Sequence, residues 1–268
     1  MTASDYVHGY SERENTRLRD QSQTLAQLLH HDTLYPPGAR VLEAGCGVGA
    51  QTVILARNSP HAHFTSIDLS LDSIAAARAA VARKGFTNVT FQAANLFDPP
   101  FPEASFDHVF VCFVLEHLGR PLDALLQLKK VLKPGGTLTA VEGDHGSAFF
   151  HPHSDLAQRT IQCLVDLQAR TGGNALIGRE LFPLLNRAGF REVRVSPRFV
   201  YADPSRPQWV DGFTEKTFIA MVEGVREPAL AAGMMDEPTW RQGIADLRAA
   251  AGPDGTFCYT FFKATALR

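Results

Sequence analysis

An α/β fold built on a doubly wound, mostly parallel sheet is predicted by three observations in this chain of 268 residues. Short apolar strands alternate with helical stretches, the pattern of parallel strands joined by right-handed crossovers. The first strand, Val41-Leu42-Glu43-Ala44, runs directly into Gly45-Cys46-Gly47-Val48-Gly49. Glycines there permit a sharp strand-to-helix reversal with bare N–H groups facing outward, a setting suited to a nucleotide-like cofactor. A second strand ends in Asp68, about 20 residues beyond the loop, where an acid can accept bonds from two ribose hydroxyls.

The remaining elements follow in order. Strands are expected at 40 to 43, 63 to 68, 89 to 93, 106 to 113 and 137 to 142, with helices at about 49 to 58, 71 to 84 and 121 to 132. Ser70 offers a cap for the second helix. After Pro121, Leu122, Leu125, Leu126, Leu128, Val131 and Leu132 recur at helical spacing and form one face for the sheet. Leu132-Lys133-Pro134-Gly135-Gly136 closes that helix and opens the fifth strand. Leu184 to Phe190 reads as a late helix leading into another strand, and Thr256 to Lys263 as the final one, which makes seven. A polar helix is expected at about Ser11 to His30, with His30 and His31 at a solvated end. In such sheets ligands bind beyond the strand C-termini, which gathers Glu43, Asp68, Asn95, Cys112 and Glu142-Gly143-Asp144-His145 at one edge.

Composition is that of an ordinary globular protein: 45% hydrophobic and 20% charged residues, enough length for a substantial core, and the whole of 1–268 read as a single domain. A net charge of -2 argues against a broad phosphate-binding surface, so nucleic acid is not expected as a partner. The compact basic group Lys129, Lys130 and Lys133 is expected at a solvated helix end. The chain lacks the roughly 18 uninterrupted apolar residues of a membrane span and an apolar stretch after its start, so a cytoplasmic location is expected. Cys46, Cys112, Cys163 and Cys258 are dispersed without C-x-x-C spacing, and neither a disulfide frame nor a metal site is expected.

The glycine loop alone also satisfies the loose G-x-G-x-x-A dinucleotide fingerprint. The ordered set is more specific: Glu43 before the loop, Asp68, Asn95-Leu96-Phe97 after the third strand, Leu115-Glu116-His117-Leu118 after the fourth, and Leu132 to Gly136. Together these resemble the class I S-adenosylmethionine-dependent methyltransferases of small-molecule type, over roughly residues 36 to 142. The resemblance implies a seven-stranded Rossmann-like methyltransferase fold with S-adenosyl-L-methionine as cofactor. It places Gly45, Cys46 and Gly47 under the methionine part, Asp68 and Leu69 at the ribose, Asn95 and Leu96 at the adenine, and Cys112 and His117 beside the cofactor. Glu43 is expected to accept from the amino group. Asn95 departs from the family's usual Asp and accepts only through its amide oxygen; its alternative reading is a turn residue bonded to its own backbone.

Residues 1–35 are expected to form an N-terminal lid helix, with Tyr10 a candidate for the cofactor carboxylate or the pocket wall. Residues 36–142 form the cofactor-binding core, and the insertions 145–176 and 203–254 are expected to lie on the substrate side. Trp209, Phe213, Phe218, Met221, Met234, Met235 and Trp240 are candidates for an apolar pocket wall as well as for packing. The implied activity is transfer of a methyl group to an O, N or C atom of a small-molecule acceptor, by a monomer or homodimer. Because the sulfonium methyl is already activated, positioning and exclusion of water are the main requirements. His145 is the candidate proton acceptor, with Asp144 beside it; His8, His151 and His153 are further candidates. Alternatives are cyclisation or aminocarboxypropyl transfer with the same cofactor, a non-catalytic cofactor-binding protein, or a nicotinamide-dependent oxidoreductase.

Overall fold

A computed structural model describes residues 12–268. Seven strands form one sheet: β1 Arg40–Ala44, β2 His63–Asp68, β3 Val89–Ala93, β4 Phe106–Cys112, β5 Leu132–His151, β6 Arg191–Ala202 and β7 Thr256–Leu267. Their order is β3-β2-β1-β4-β5-β7-β6. The first five pair in parallel, while β7 runs antiparallel to both β5 and β6. The helices of the wound half are α2 Ala50–Asn58, α3 Leu71–Arg83 and α4 Pro121–Val131. Local chemistry sets their starts. The Ser70 hydroxyl accepts from Ser73 N at the head of α3, and Pro121 takes the first turn of α4, where no N–H is needed.

Alternation along each strand divides the core in two. Val41, Phe64, Phe110 and Val141 face one layer, and Leu42, Ile67, Val109 and Ala140 the other. On the second layer lies α4, through the buried Ala124, Leu125, Leu128 and Val131 and the partly buried Leu122. Leu126, expected on that face, is 40% exposed, and Leu132 already belongs to β5. The first layer carries α1 Glu12–His30, α5 Asp155–Arg170 and the helices of the second insertion: α7 Pro207–Trp209, a π-helical turn Val210–Ile219, α8 Ala220–Gly224, α9 Arg226–Ala231 and α10 Glu237–Ala249. Between α5 and β6, a 3-10 turn at Ile177–Glu180 leads into α6 Leu181–Arg187.

Three expectations are corrected by the sheet. β5 does not stop near 142, because β7 pairs along it from Thr137↔Leu267 through Asp144↔Thr260 and, after an irregularity, from Phe149↔Cys258 to His151↔Thr256. Asp144 and His145 therefore sit within a strand, not in a loop beyond one. His30 is 1% exposed rather than solvated, with Nε2 2.9 Å from Gln51 Oε1, and burial lowers its pKa to about 4. Next to it Lys263 of β7 donates to Asp32 at 2.6 Å and to Thr33 Oγ1 at 2.6 Å, fastening the end of α1 to the sheet. The basic group is also engaged: Lys129 donates to the carbonyls of Ala188 and Gly189, and Lys133 pairs with Asp107 at 2.6 Å.

Candidate active site

The loop after β1 is drawn tight by backbone bonds. Gly45 N and Cys46 N both donate to Ile67 O, at 2.8 and 2.9 Å, and Gly49 N to Cys46 O at 2.9 Å. Asp68 faces this loop: Oδ2 accepts from Gly47 N at 2.8 Å and Oδ1 from Ser70 N at 2.9 Å. Beside it Leu69 is 49% exposed and Leu96 half-buried, so an apolar surface flanks the carboxylate. Asn95 is exposed, and its Oδ1 accepts from Phe97 N at 3.0 Å, the turn geometry that was its alternative reading.

Glu43 lies beneath the loop rather than on it. The residue is 2% exposed, and Oε2 accepts from Thr52 Oγ1 at 2.7 Å and Ser66 Oγ at 2.6 Å. Burial raises its pKa to about 7 in spite of those two bonds. It braces the first turn of the site from below. Cys46 and Cys112 are buried, and burial pushes both thiols up, which leaves them neutral packing groups.

On the other side of the loop the chain leaves β4 through Phe113, a bulky residue held at φ +56°. Glu142, wholly buried on β5, fixes this turn: Oε1 accepts from Val114 N at 3.1 Å and Leu115 N at 2.8 Å. Burial, with the Glu116 carboxylate nearby, drives its carboxyl well above the ordinary range, so it stays protonated. The turn touches the glycine loop. A Cβ on Gly45 would come 2.5 Å from Val114 Cγ2, so only glycine allows this approach.

The turn also borders a recess of about 500 Å³, including its open mouth. Phe113, Phe213, Phe218, Phe261 and Met221 form its apolar wall. Its polar floor comprises Glu116, His117, His145 and Tyr259. Glu116 Oε1 is 3.7 Å from His117 Nε2, and Oε2 is 3.8 Å from His145 Nε2. Gln168 Nε2 donates to Glu116 Oε2 at 3.3 Å and to its backbone carbonyl at 3.0 Å. His145 Nδ1 lies 2.6 Å from the Tyr259 hydroxyl, and burial lowers its pKa.

Asp144 and His145 part company because successive residues of a strand face opposite sides. His145 borders the recess, while Asp144 turns away and forms a bidentate pair with Arg179, at 2.6 and 2.7 Å. His153 is exposed and bonded to Asp155, His151 is exposed, and neither borders the recess. Tyr10 and His8 lie outside the described residues. Of the aromatic and Met candidates, Phe213, Phe218 and Met221 reach the recess, whereas Trp240 and Met235 are core.

The sequence shows Glu116 within a motif and Gly143 at the ligand edge without a role for either, and nothing in it singles out Tyr259. Gly143 carried a readable signal: glycine inside a strand marks close approach, and here a Cβ would lie 2.4 Å from the Tyr259 hydroxyl. Among the described residues no helix is long and apolar enough to cross a membrane.

Residues 42–140 match a family model described as a methyltransferase domain. A demethylmenaquinone methyltransferase of Tropheryma whipplei (strain Twist) is 36% identical over 124 residues, 46% of this chain and 50% of that protein. Over these residues the chain is similar to methyltransferases. The family's cofactor is S-adenosylmethionine. The chain spans about half the length of the curated relatives it matches. Two solved structures share the fold. A phosphoethanolamine N-methyltransferase of Haemonchus contortus, bound to phosphomonomethylethanolamine and S-adenosylhomocysteine, aligns with TM-score 0.58 at 18% identity, over 92% of this chain and 52% of that one. The cyclase SpnF aligns with TM-score 0.57 at 21% identity, over 93% and 81%. At those identities they establish the Rossmann-like methyltransferase architecture alone.

The residues present fit the cofactor. A paired acceptor at Asp68, bare amides in a glycine turn and an exposed apolar Leu69 suit a ribose with an adenine beside it.

Proposed function

We propose that this chain transfers the methyl group of S-adenosylmethionine to an atom of a small molecule seated in the aromatic recess. The observation that carries this reading is the contact of Gly45 with Val114: the cofactor loop packs directly on the turn whose neighbours Phe113 and Glu116 border the recess. A molecule in the recess is thereby held next to the cofactor's methionine end.

Asp68 holds the ribose with Leu69 beside it, Leu96 flanks the adenine, and Gly45, Cys46 and Gly47 run beneath the methionine portion. Asn95 keeps one lone pair of its amide oxygen for the adenine amino group while the other serves Phe97. Cys112 and His117 border the cofactor from the β4 side. The cofactor supplies a methyl group already activated on a sulfonium. What remains for the protein is to orient the acceptor, exclude water and manage a proton. Apolar walls do the second task, and the polar floor with His145 does the third.

The test is incubation of a metabolite extract with the protein and methyl-labelled S-adenosylmethionine, followed by mass spectrometry. Labelled product with S-adenosylhomocysteine is expected. Methylthioadenosine in its place would refute methyl transfer and select aminocarboxypropyl transfer. Binding of the cofactor without turnover of anything in the extract would select a binding protein.

A further inference from the structure

The floor of the recess contains more polar chemistry than orientation of an apolar molecule requires, and its protons can be assigned. Tyr259 is 1% exposed and its hydroxyl meets His145 Nδ1 at 2.6 Å. If Nδ1 carried the proton, the phenolic hydrogen would be buried without that acceptor, and an unprotonated Nε2 would face the Glu116 carboxylate. With the phenol donating to Nδ1, the imidazole proton sits on Nε2 and points toward Glu116 Oε2, 3.8 Å away. Only the second arrangement gives the phenolic proton an acceptor and turns an N–H, rather than a lone pair, toward the carboxylate. Burial holds Tyr259 protonated and His145 neutral, in agreement.

His145 Nε2 has no hydrogen-bond partner in the described structure, since 3.8 Å to Glu116 is too long for one. A buried N–H donor and a carboxylate acceptor thus stand side by side in the lining of the recess, where an acceptor atom that enters between them would bond both. That atom must accept one hydrogen bond and donate another. A hydroxyl does so through a single oxygen and keeps a second lone pair to attack the methyl carbon; a neutral amine would spend its one lone pair on Nε2–H, a protonated amine has none, and a ketone or carboxylate has no hydrogen to offer Glu116. The wall of Phe113, Phe213, Phe218 and Phe261 suits a flat apolar body attached to it.

We infer that Glu116 is the proton-accepting residue, that His145 is a fixed Nε2–H donor positioned by Tyr259, and that the acceptor is a phenol or enol methylated on oxygen. This deepens the methyl-transfer reading above and rests on it. In the proton step the acceptor's O–H bond breaks, its electron pair remains on oxygen, and a new O–H bond forms at Glu116 Oε2. His145 keeps its proton throughout, and no oxidant or further reactant enters. Glu116 returns the proton to solvent when the product leaves the open mouth. Gly143 makes the assembly possible, because any side chain there would displace the Tyr259 hydroxyl.

The experiment has a readout that needs no cofactor. Long-range proton–nitrogen NMR of the imidazole in the full chain should show His145 in the Nε2–H form, and Tyr259→Phe should release it to a mixture of tautomers. In the labelled-extract assay, carbon NMR of the product should show an O-methyl group. Glu116→Gln should lower labelling about 10²-fold or more, with calorimetric affinity for S-adenosylhomocysteine retained. An Nδ1–H tautomer in the wild-type protein, an N- or C-methyl product, or full labelling by Glu116→Gln would each overturn the inference while leaving methyl transfer intact. Failure of the wild-type protein to bind S-adenosylhomocysteine would instead overturn the reading beneath it.

Discussion

Replacing Glu43 by Gln should change how stability depends on pH, and in a definite direction. The wild-type carboxyl is 2% exposed, and burial takes its pKa from an ordinary 4.5 to about 7. Between those values the unfolded chain releases the proton while the folded chain keeps it. The stability this group contributes is therefore complete below about pH 4.5 and lost as pH rises through 7. Each pKa unit is worth about 1.4 kcal/mol, so the loss amounts to about 3 kcal/mol. Gln keeps the shape and one oxygen able to accept from both Thr52 and Ser66, yet cannot ionise. Urea denaturation from pH 5 to pH 8 should show the variant gaining on the wild type by about that amount. A difference flat across this range would mean that Glu43 ionises normally and faces water or ligand. Repeating the titration with saturating S-adenosylhomocysteine separates the two roles considered for this residue. If Glu43 met the cofactor's ammonium, the ligand would pull its pKa down and shrink the pH-dependent difference; a brace beneath the loop leaves that difference in place.

Asp68→Ala should weaken S-adenosylhomocysteine binding by roughly 2 to 3 kcal/mol in calorimetry, as expected for lost charge-assisted bonds; unchanged affinity would move the ribose site elsewhere. Arg179→Met strands the carboxylate of Asp144, whose side chain is only 3% exposed, and should cost about 3 kcal/mol in chemical denaturation, with Asp144→Asn added to it restoring part of the loss. His30→Gln should remove an acid sensitivity. The lowered pKa of about 4 means that wild-type stability is complete above pH 6.5 and falls by about 3 kcal/mol as pH drops toward 4, a loss that parallel denaturation of the two proteins would display.

The wound half of this fold was legible because its information is local. A strand, a glycine turn and a helix lie within 20 residues, and Asp68 follows at a spacing that the turn itself dictates. The antiparallel half was less so. Nothing near Val141 announces that β5 continues to His151; the cause is β7, more than a hundred residues later, which supplies the pairing. The same distance hid the environment of His30, whose burial depends on Gln51 of α2 and on the Lys263 clasp. It also hid the partner of Asp144: an Asp-His pair looks like a dyad in one dimension, and only the pleat separates the two side chains.

One strand joins the recess to the leading helix. Tyr259, Phe261 and Lys263 occupy alternate positions of β7 and are 1%, 2% and 3% exposed, so all three face the layer that carries α1. Tyr259 orients His145, Phe261 forms wall, and Lys263 holds Asp32 and Thr33 just after α1 ends. From the same helix Arg17 and Gln21, both buried, line the recess. Part of the floor and part of the wall are thus carried by a single return strand, buried on that face and paired on both edges. A strand held in this way has little freedom to shift. That rigidity suits the 2.6 Å contact of Tyr259 with His145, whose residues stand on the paired strands β7 and β5, while Glu116 and the glycine loop follow the parallel strands β4 and β1.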